Sequence, residues 1–508
     1  MLLKLIAVIL YMAVLLIIGA VASRRMKDVR DYFAANKSLG FLAVAFSARA
    51  TGESAWLLLG LTGMGAAVGV KAFWVVLGEV LGVMGAWIFL SRRFKRLTDV
   101  YDSITIPDYL ESRFRDEGHG LRLVSAFALV IFVTIYVSAQ IDATGTAFHS
   151  FLGWNYQVGA VVGFVVVMIY IISGGFLAVV WSDVFQGALM FLGLVGLPIA
   201  GLVHAGGISL VLEGLQQQDP GLLSPWGPGG WTALTPFSII SLALIGLGFL
   251  GSPQIFVRFL ALRSEDEIPK GALVAFIWTL LADSGAVVTG LVGRHLLVKP
   301  GADPATVMGN GGQNVLPLLS DLVLPTFMVG VMIAIVLSAI MSTVDSLLIV
   351  ASSAYVRDYY QKVRHPNLHD GELMALSRKA TAALALFALA VAMVVSIISP
   401  TRTIFWFVIF GWSGIAATFC PAIILSVYWK RMTARGAMCA MITGFLCVPL
   451  FKFGAPHLPG IGAALGALEE LPPAFFLGGL VGIIVSLLDP AGQARLVGVS
   501  EEIDKAGA

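Results

Sequence analysis

The sequence predicts an all-α polytopic membrane protein, and three observations predict it. Of 508 residues, 58% are hydrophobic and only 12% are charged, where soluble globular chains carry about 25% charge. Mean hydropathy is +0.91. The apolar residues fall in continuous runs of about twenty, the length that crosses a bilayer as a helix. Only helices and closed barrels satisfy their backbone in lipid, and barrel strands are short and alternating. Continuous runs therefore select helices.

About thirteen spans are expected from this pattern. They lie near 3–23, 40–69, 72–91, 120–149, 156–174, 176–204, 236–261, 270–296, 317–357, 377–399, 403–429, 434–453 and 473–488. The first is a retained helix rather than a cleaved signal, because it is long enough to span and its basic flank, Arg24, Arg25 and Lys27, follows it. The ninth is longer than a bilayer needs, so it either tilts or begins with a separate outer helix. Between the third and fourth, residues 92–120 form a polar loop in which Ile106-Pro107-Asp108 reads as a helix start. The last, Pro473 to Leu488, is the shortest. The tail after Asp489 is polar and carries no second domain.

Lysines and arginines set the orientation. Arg24 to Arg30, Arg92 to Arg96, Arg357 to Arg378 and Lys430 to Arg435 share one side if the count holds, whereas the loop from Ala205 to Thr235 has no lysine or arginine. The expectation is a multi-pass protein of the inner (plasma) membrane with its N-terminus outside and its C-terminus cytoplasmic. The net charge of +2 and the absence of a basic tail give no sign of a nucleic-acid partner. Cys420, Cys439 and Cys447 all fall in apolar spans and read as small core residues.

Two spans are interrupted by small and polar residues: Ser47 to Ser54 in the second and Gly246 to Pro253 in the seventh. They are five spans apart, so they enter the membrane from opposite sides. Paired discontinuous helices mark an inverted repeat, with carbonyls and helix ends exposed at the midplane where ions and charged solutes bind. The competing reading is glycine-mediated helix packing, which the paired positions outweigh. Charges within spans are costly and seldom idle. Arg49 and Glu53 share a helix face if that turn is wound, either as a self-neutralising pair or as a solute site. Glu79 is placed to neutralise Arg49, and Asp142 to sit near the outer interface. Asp183 and Asp283 lie in other spans. Asp345 stands among Ser342, Thr343 and Ser346, whose oxygens suit a hard monovalent cation.

At these residues the chain resembles the sodium:solute symporter family, within it the sodium/proline symporters. The resemblance rests on Ser54 to Gly60, Ser173 to Asp183, Gly248 to Pro253 with Val257-Arg258-Phe259, Ala339 to Thr343, and Trp412-Ser413-Gly414 with Pro421. It implies a LeuT-type fold of two inverted five-helix repeats. The organisation is then an extra helix and loop (1–39), a first repeat (40–204), an outer loop (205–235), a second repeat (236–430) and two C-terminal helices with a tail (431–508). It implies sodium as the coupling ion. A first sodium site comes from carbonyls of Ala50, Glu53 and Ala339 with hydroxyls of Ser342 and Thr343, and a second from Asp183, Ser342, Asp345 and Ser346. The solute residues it suggests are Arg49, Glu53, Trp56, Tyr136, Gln140, Phe249 and Pro253.

Where the sodium/proline symporters have a tryptophan and a tyrosine in the sixth core helix, this chain has Ile245 and Phe249. Gly52 stands where an acidic residue is expected. The function implied is sodium-coupled import of a small amino-acid-like solute by alternating access, with proline the best single guess. The alternatives are another small solute (monocarboxylate, pantothenate-like or sugar), a membrane sensor or a channel. An enzyme is not expected: the sequence carries no His-Glu-x-x-His motif and no nucleophile elbow.

Overall fold

The computed structural model describes residues 1–24, 33–171 and 175–508. Arg25, Lys27 and Arg30 of the first basic flank, and Ser173 and Gly174 of the family-like motif, lie outside the described residues. Among those described, helices and turns carry the fold, and the one β-type pairing is an isolated bridge between Leu39 and Leu262. Among the described residues, nine helices are long and apolar enough to cross a membrane, or up to eleven if each of two bent pairs is one span. One of the nine runs unbroken by this measure from Phe41 to Val100, 60 residues. At about 1.5 Å per residue it would reach about 90 Å, three times the hydrocarbon core. The chain instead turns at Gly69, whose φ of 67° an L side chain seldom adopts.

In chain order the principal helices are α1 (Leu2–Ser23), α2 (Phe41–Ala55), α3 (Thr62–Val68), α4 (Phe73–Gly85), α5 (Ser91–Val100), α6 (Ile106–Phe114) and α7 (Gly120–Leu152). There follow α8 (Tyr156–Ile171), α9 (Phe176–His204), α10 (Thr235–Ala243), α11 (Pro253–Ala261), α12 (Ile268–Leu297), α13 (Val315–Val323) and α14 (Thr326–Ser353). The chain closes with α15 (Asp370–Ile398), α16 (Ile404–Tyr428), α17 (Ala434–Pro449), α18 (Leu471–Leu487) and α19 (Val499–Gly507). The long ninth span is thus two helices, split at Leu324-Pro325, because a proline biases the residue before it away from helix. Helix α6 starts where Ile106-Pro107-Asp108 suggested. The Thr105 hydroxyl accepts the Asp108 N–H at 3.1 Å, and Pro107 occupies the first turn, where its missing N–H costs nothing.

Both expected interruptions are present, but the first is narrower than the sequence suggested. Residues Ser47 to Glu53 are wound into α2, and the break falls on Ser54, with φ 33° and ψ −164°. A π-helical stretch, Trp56–Leu61, carries the chain on to α3. The second is a 3-10 stretch, Ile245–Leu250, between α10 and α11, and the two flanking segments bend by 41°. Backbones touch here. A Cβ on Gly246 would stand 1.9 Å from the Gly78 carbonyl oxygen, so glycine lets this stretch lie directly on α4.

The basic loops meet at one end of the molecule. Arg96 pairs with Glu265, Lys37 with Asp99, Arg115 with Glu502 and Lys430 with Asp504. There the polar tail forms α19 and docks by Val499, Ile503 and Ala506, all buried. Lys4, near the N-terminus, is instead tied to Asp321 and to the Phe151 carbonyl, at the opposite end.

Candidate ion and solute sites

The break at Ser54 decides where backbone oxygens go. In a regular helix the Thr51 carbonyl accepts the N–H of residue 55. Here the Ala55 N–H donates to Gln140 Oε1 at 3.1 Å. The Thr51 carbonyl takes the Thr343 hydroxyl at 2.9 Å, and the Ala50 carbonyl takes the Ser342 hydroxyl, also at 2.9 Å. The same hydroxyls lie 3.2 and 3.1 Å from the Ala339 carbonyl oxygen. All five residues are buried. Four of the five residues expected in the first sodium site therefore meet between α2 and α14. Glu53 is the exception: its carbonyl accepts the Trp56 N–H. Thr51, not foreseen, supplies the further carbonyl. A cage of neutral carbonyl and hydroxyl oxygens is the donor set a hard monovalent ion accepts, since the hydroxyls can turn their lone pairs inward.

One helical turn along, the residues of the expected second sodium site also converge, but with an arginine among them. The Arg258 guanidinium, on α11, donates from Nη2 to Asp183 Oδ2 at 2.9 Å, Thr51 Oγ1 at 2.6 Å and Ser346 Oγ at 2.6 Å. Its Nε reaches Ser47 Oγ at 2.7 Å. Asp345 Oδ1 accepts the Ser346 N–H at 2.6 Å. Asp183 Oδ1 and Asp345 Oδ2 are buried with no hydrogen-bond partner among the described residues. Ser47, Thr51 and Arg258 were not singled out from the sequence as ligands. The signal for Arg258 was its full charge inside an apolar segment, which lipid does not tolerate unpartnered.

Six of the seven solute residues surround the break. The Ser54 hydroxyl lies 3.4 Å from Tyr136 Oη and 3.3 Å from Gln140 Nε2. The Trp56 indole donates to the Gly52 carbonyl at 3.0 Å and meets Phe405 edge-on. Phe249 packs against Trp412 at 4.9 Å between centroids, and the Arg49 guanidinium lies 4.5 Å over its ring. Pro253 does not join them. It lines a separate cavity with Phe33, Ile104, Pro107, Phe176 and Ile349.

Arg49 and Glu53 are in direct contact across one turn of α2, as the spacing suggested. Glu79 of α4 approaches Arg49 Nη2 to 3.7 Å. Asp142 pairs instead with Arg402, with Tyr156 donating to it at 2.5 Å.

Two discontinuous helical segments, broken at Ser54 and at Ile245–Leu250, with carbonyls of the first caged against hydroxyls of α14, define the class: a membrane transporter built on broken helices. The model of the sodium:solute symporter family matches residues 32–444, and the chain belongs to that family. Its relatives include the high-affinity proline transporter PutP of Bacillus subtilis (strain 168), 35% identical over 464 residues, covering 89% of this chain and 94% of that protein. The osmoregulated proline transporter OpuE of the same organism is 33% identical over 500 residues, covering 98% and 97%. Among solved structures, a Na+-coupled sialic acid symporter in a substrate-bound outward-open state superposes with a TM-score of 0.77 over 97% of both chains, at 20% identity. That likeness establishes the LeuT-type fold.

Proposed function

We propose that this protein is a sodium-coupled symporter that carries a small amino-acid solute, with proline the first candidate, across the plasma membrane by alternating access. The observation that carries the reading is the oxygen cage of Ala50, Thr51, Ala339, Ser342 and Thr343. A sodium ion there would tie α2 to α14 and favour the state in which both contribute ligands, which is how an ion biases a conformational equilibrium. The names of the proline-transporting relatives support the solute. In this reading the two inverted repeats are 40–204 and 236–430, with about thirteen spans in all. The basic end, with the C-terminus, faces the cytoplasm and the N-terminus lies outside, in keeping with the positive-inside rule.

Sodium binding shapes the Ser54 break. Solute then binds beside it, with Trp56, Tyr136 and Phe249 around its apolar body and Gln140 and Ser54 as polar partners. Occlusion and inward opening follow, and low internal sodium with the membrane potential removes the ion. One charge moved through 100 mV supplies about 2.3 kcal/mol. A second sodium at Asp183, Ser342, Asp345 and Ser346 would share its carboxylates with Arg258, so its binding depends on how far that guanidinium withdraws. A different solute, such as a monocarboxylate, is favoured by one observation: the Arg49 guanidinium lies 4.5 Å over the Phe249 ring beside the break, a cation placed to meet a carboxylate.

The deciding measurement is uptake of labelled proline into proteoliposomes under an inward sodium gradient, against potassium alone. A panel of monocarboxylates, pantothenate and sugars serves as competitors. Sodium-dependent proline uptake is expected. Competition by a monocarboxylate with no proline uptake would overturn the solute, and uptake indifferent to sodium would overturn the coupling.

A further inference from the structure

Beside the oxygen cage, on the other face of α2, lies a second concentration of charge. Glu53, Glu79 and Asp283 come from three helices, α2, α4 and α12, and offer one carboxylate oxygen each within 4.8 Å of one another. All three are fully buried. Among the described residues, Arg49 is the cation in contact with this group. Its guanidinium meets Glu53 and nears Glu79 while its faces are taken by Phe249 and Trp278, at 4.5 and 5.7 Å. Three carboxylates against one guanidinium leave an excess of two negative charges. An independent observation points the same way: Asp283, from α12, is completely buried and neither of its oxygens meets a hydrogen-bond donor among the described residues.

A low-dielectric interior does not hold such an excess unbalanced: either protons or a bound cation must offset it. An ion placed among three oxygens no more than 4.8 Å apart sits within about 2.8 Å of each, close to the ~2.3–2.6 Å at which hard cations hold oxygen. We infer that Glu53, Glu79 and Asp283 form a further sodium-binding site, separate from the hydroxyl cage. The inference rests on the sodium coupling proposed above. The position gives the ion leverage. Glu53 directly precedes the Ser54 break, and Glu79 follows Gly78, whose carbonyl presses on the Gly246 backbone of the second broken helix. A cation here touches the elements that flank both breaks.

The test is equilibrium binding of radiolabelled sodium to the purified full chain at fixed pH without solute. The variants are Asp283→Asn, Glu79→Gln and Ser342→Ala, with melting temperature and gel filtration to certify folding. Asp283→Asn and Glu79→Gln are each expected to bind one sodium fewer than wild type. Ser342→Ala loses a different one, and the Asp283→Asn, Ser342→Ala double variant loses both. If folded Asp283→Asn or Glu79→Gln binds the wild-type number with wild-type affinity, the carboxylate site is wrong, and protons or Arg49 alone balance the cluster. If wild type binds no sodium at all, the coupling itself has failed and takes this site with it.

Discussion

The Ser342 hydroxyl donates to the Ala50 carbonyl across 2.9 Å, although 292 residues separate them in the chain. This contact, doubled by Thr343 on Thr51, joins α2 to α14. Removing either hydroxyl takes away a ligand of the proposed sodium site without disturbing the break at Ser54. Ser342→Ala and Thr343→Ala are each expected to raise the sodium concentration for half-maximal uptake at least tenfold, about 1.4 kcal/mol, with little change in solute affinity at saturating sodium. Uptake measured across a sodium series decides it, and an unchanged half-saturation in both variants would dismantle the ion site.

Gly52 and Phe249 fit each other. A Cβ on residue 52 would approach Phe249 Cε1 to 2.7 Å, so the aromatic ring fills the space that an acidic side chain at 52 would need. Gly52→Ala is expected to cost about 1–3 kcal/mol through overpacking and to lower solute affinity. Phe249→Ala in the same chain should restore much of the loss. A double-mutant cycle on melting temperature and on the solute concentration for half-maximal uptake reads the coupling. Additive effects would show that the two positions do not share the space.

What was legible in the sequence follows from what local pattern encodes. Long apolar runs, two interruptions by small and polar residues and the Ser342-Thr343 pair are local, and each was readable because lipid leaves the backbone few options. The exact break was not. Ser47 to Glu53 are small and polar, yet they stay helical, because the unwinding needs only the single residue Ser54 and because the Ala55 N–H finds Gln140 on a distant helix. Arg258 was read as motif rather than ligand, since Asp183 lies 75 residues away and nothing in the local sequence names it. The meeting of Glu79 and Asp283 with Glu53 is of the same kind: each charge is visible alone, and only the packing of α2, α4 and α12 brings them together.

Arg258 is expected to be the most fragile of these residues. Its guanidinium is wholly buried and donates to Ser47, Thr51, Asp183 and Ser346. Arg258→Gln removes the charge that balances Asp183, and breaking a buried pair from one side costs about 3–5 kcal/mol. Adding Asp183→Asn should recover part of that loss, because the orphaned carboxylate goes too. Melting temperatures of the two singles and the double report it. A double no more stable than Arg258→Gln would mean that the hydroxyl bonds, not the ion pair, hold α11 in place.

At the basic end, Asp108 of α6 carries a pH signature. Burial pushes its carboxyl up, but Arg357 and Arg122 beside it outweigh that and hold it below the ordinary aspartate value. Arg122 Nη2 lies 2.6 Å from Asp108 Oδ1 and Arg357 Nη1 3.0 Å from Oδ2, so one carboxylate links α6 to the start of α7 and to the segment following α14. A folded-state value below the unfolded one means that the contribution is fully present above the unfolded value, about 3.9, and is lost as pH falls through the lowered one. Asp108→Asn is therefore expected to be less stable than wild type from neutrality down to about pH 5, the point above which an ordinary aspartate is ionised. The gap should close as the pH drops further. Melting temperature against pH for the two proteins tests this directly. A gap of constant size down to acid would show that the Asp108 charge contributes nothing to closing this end of the molecule.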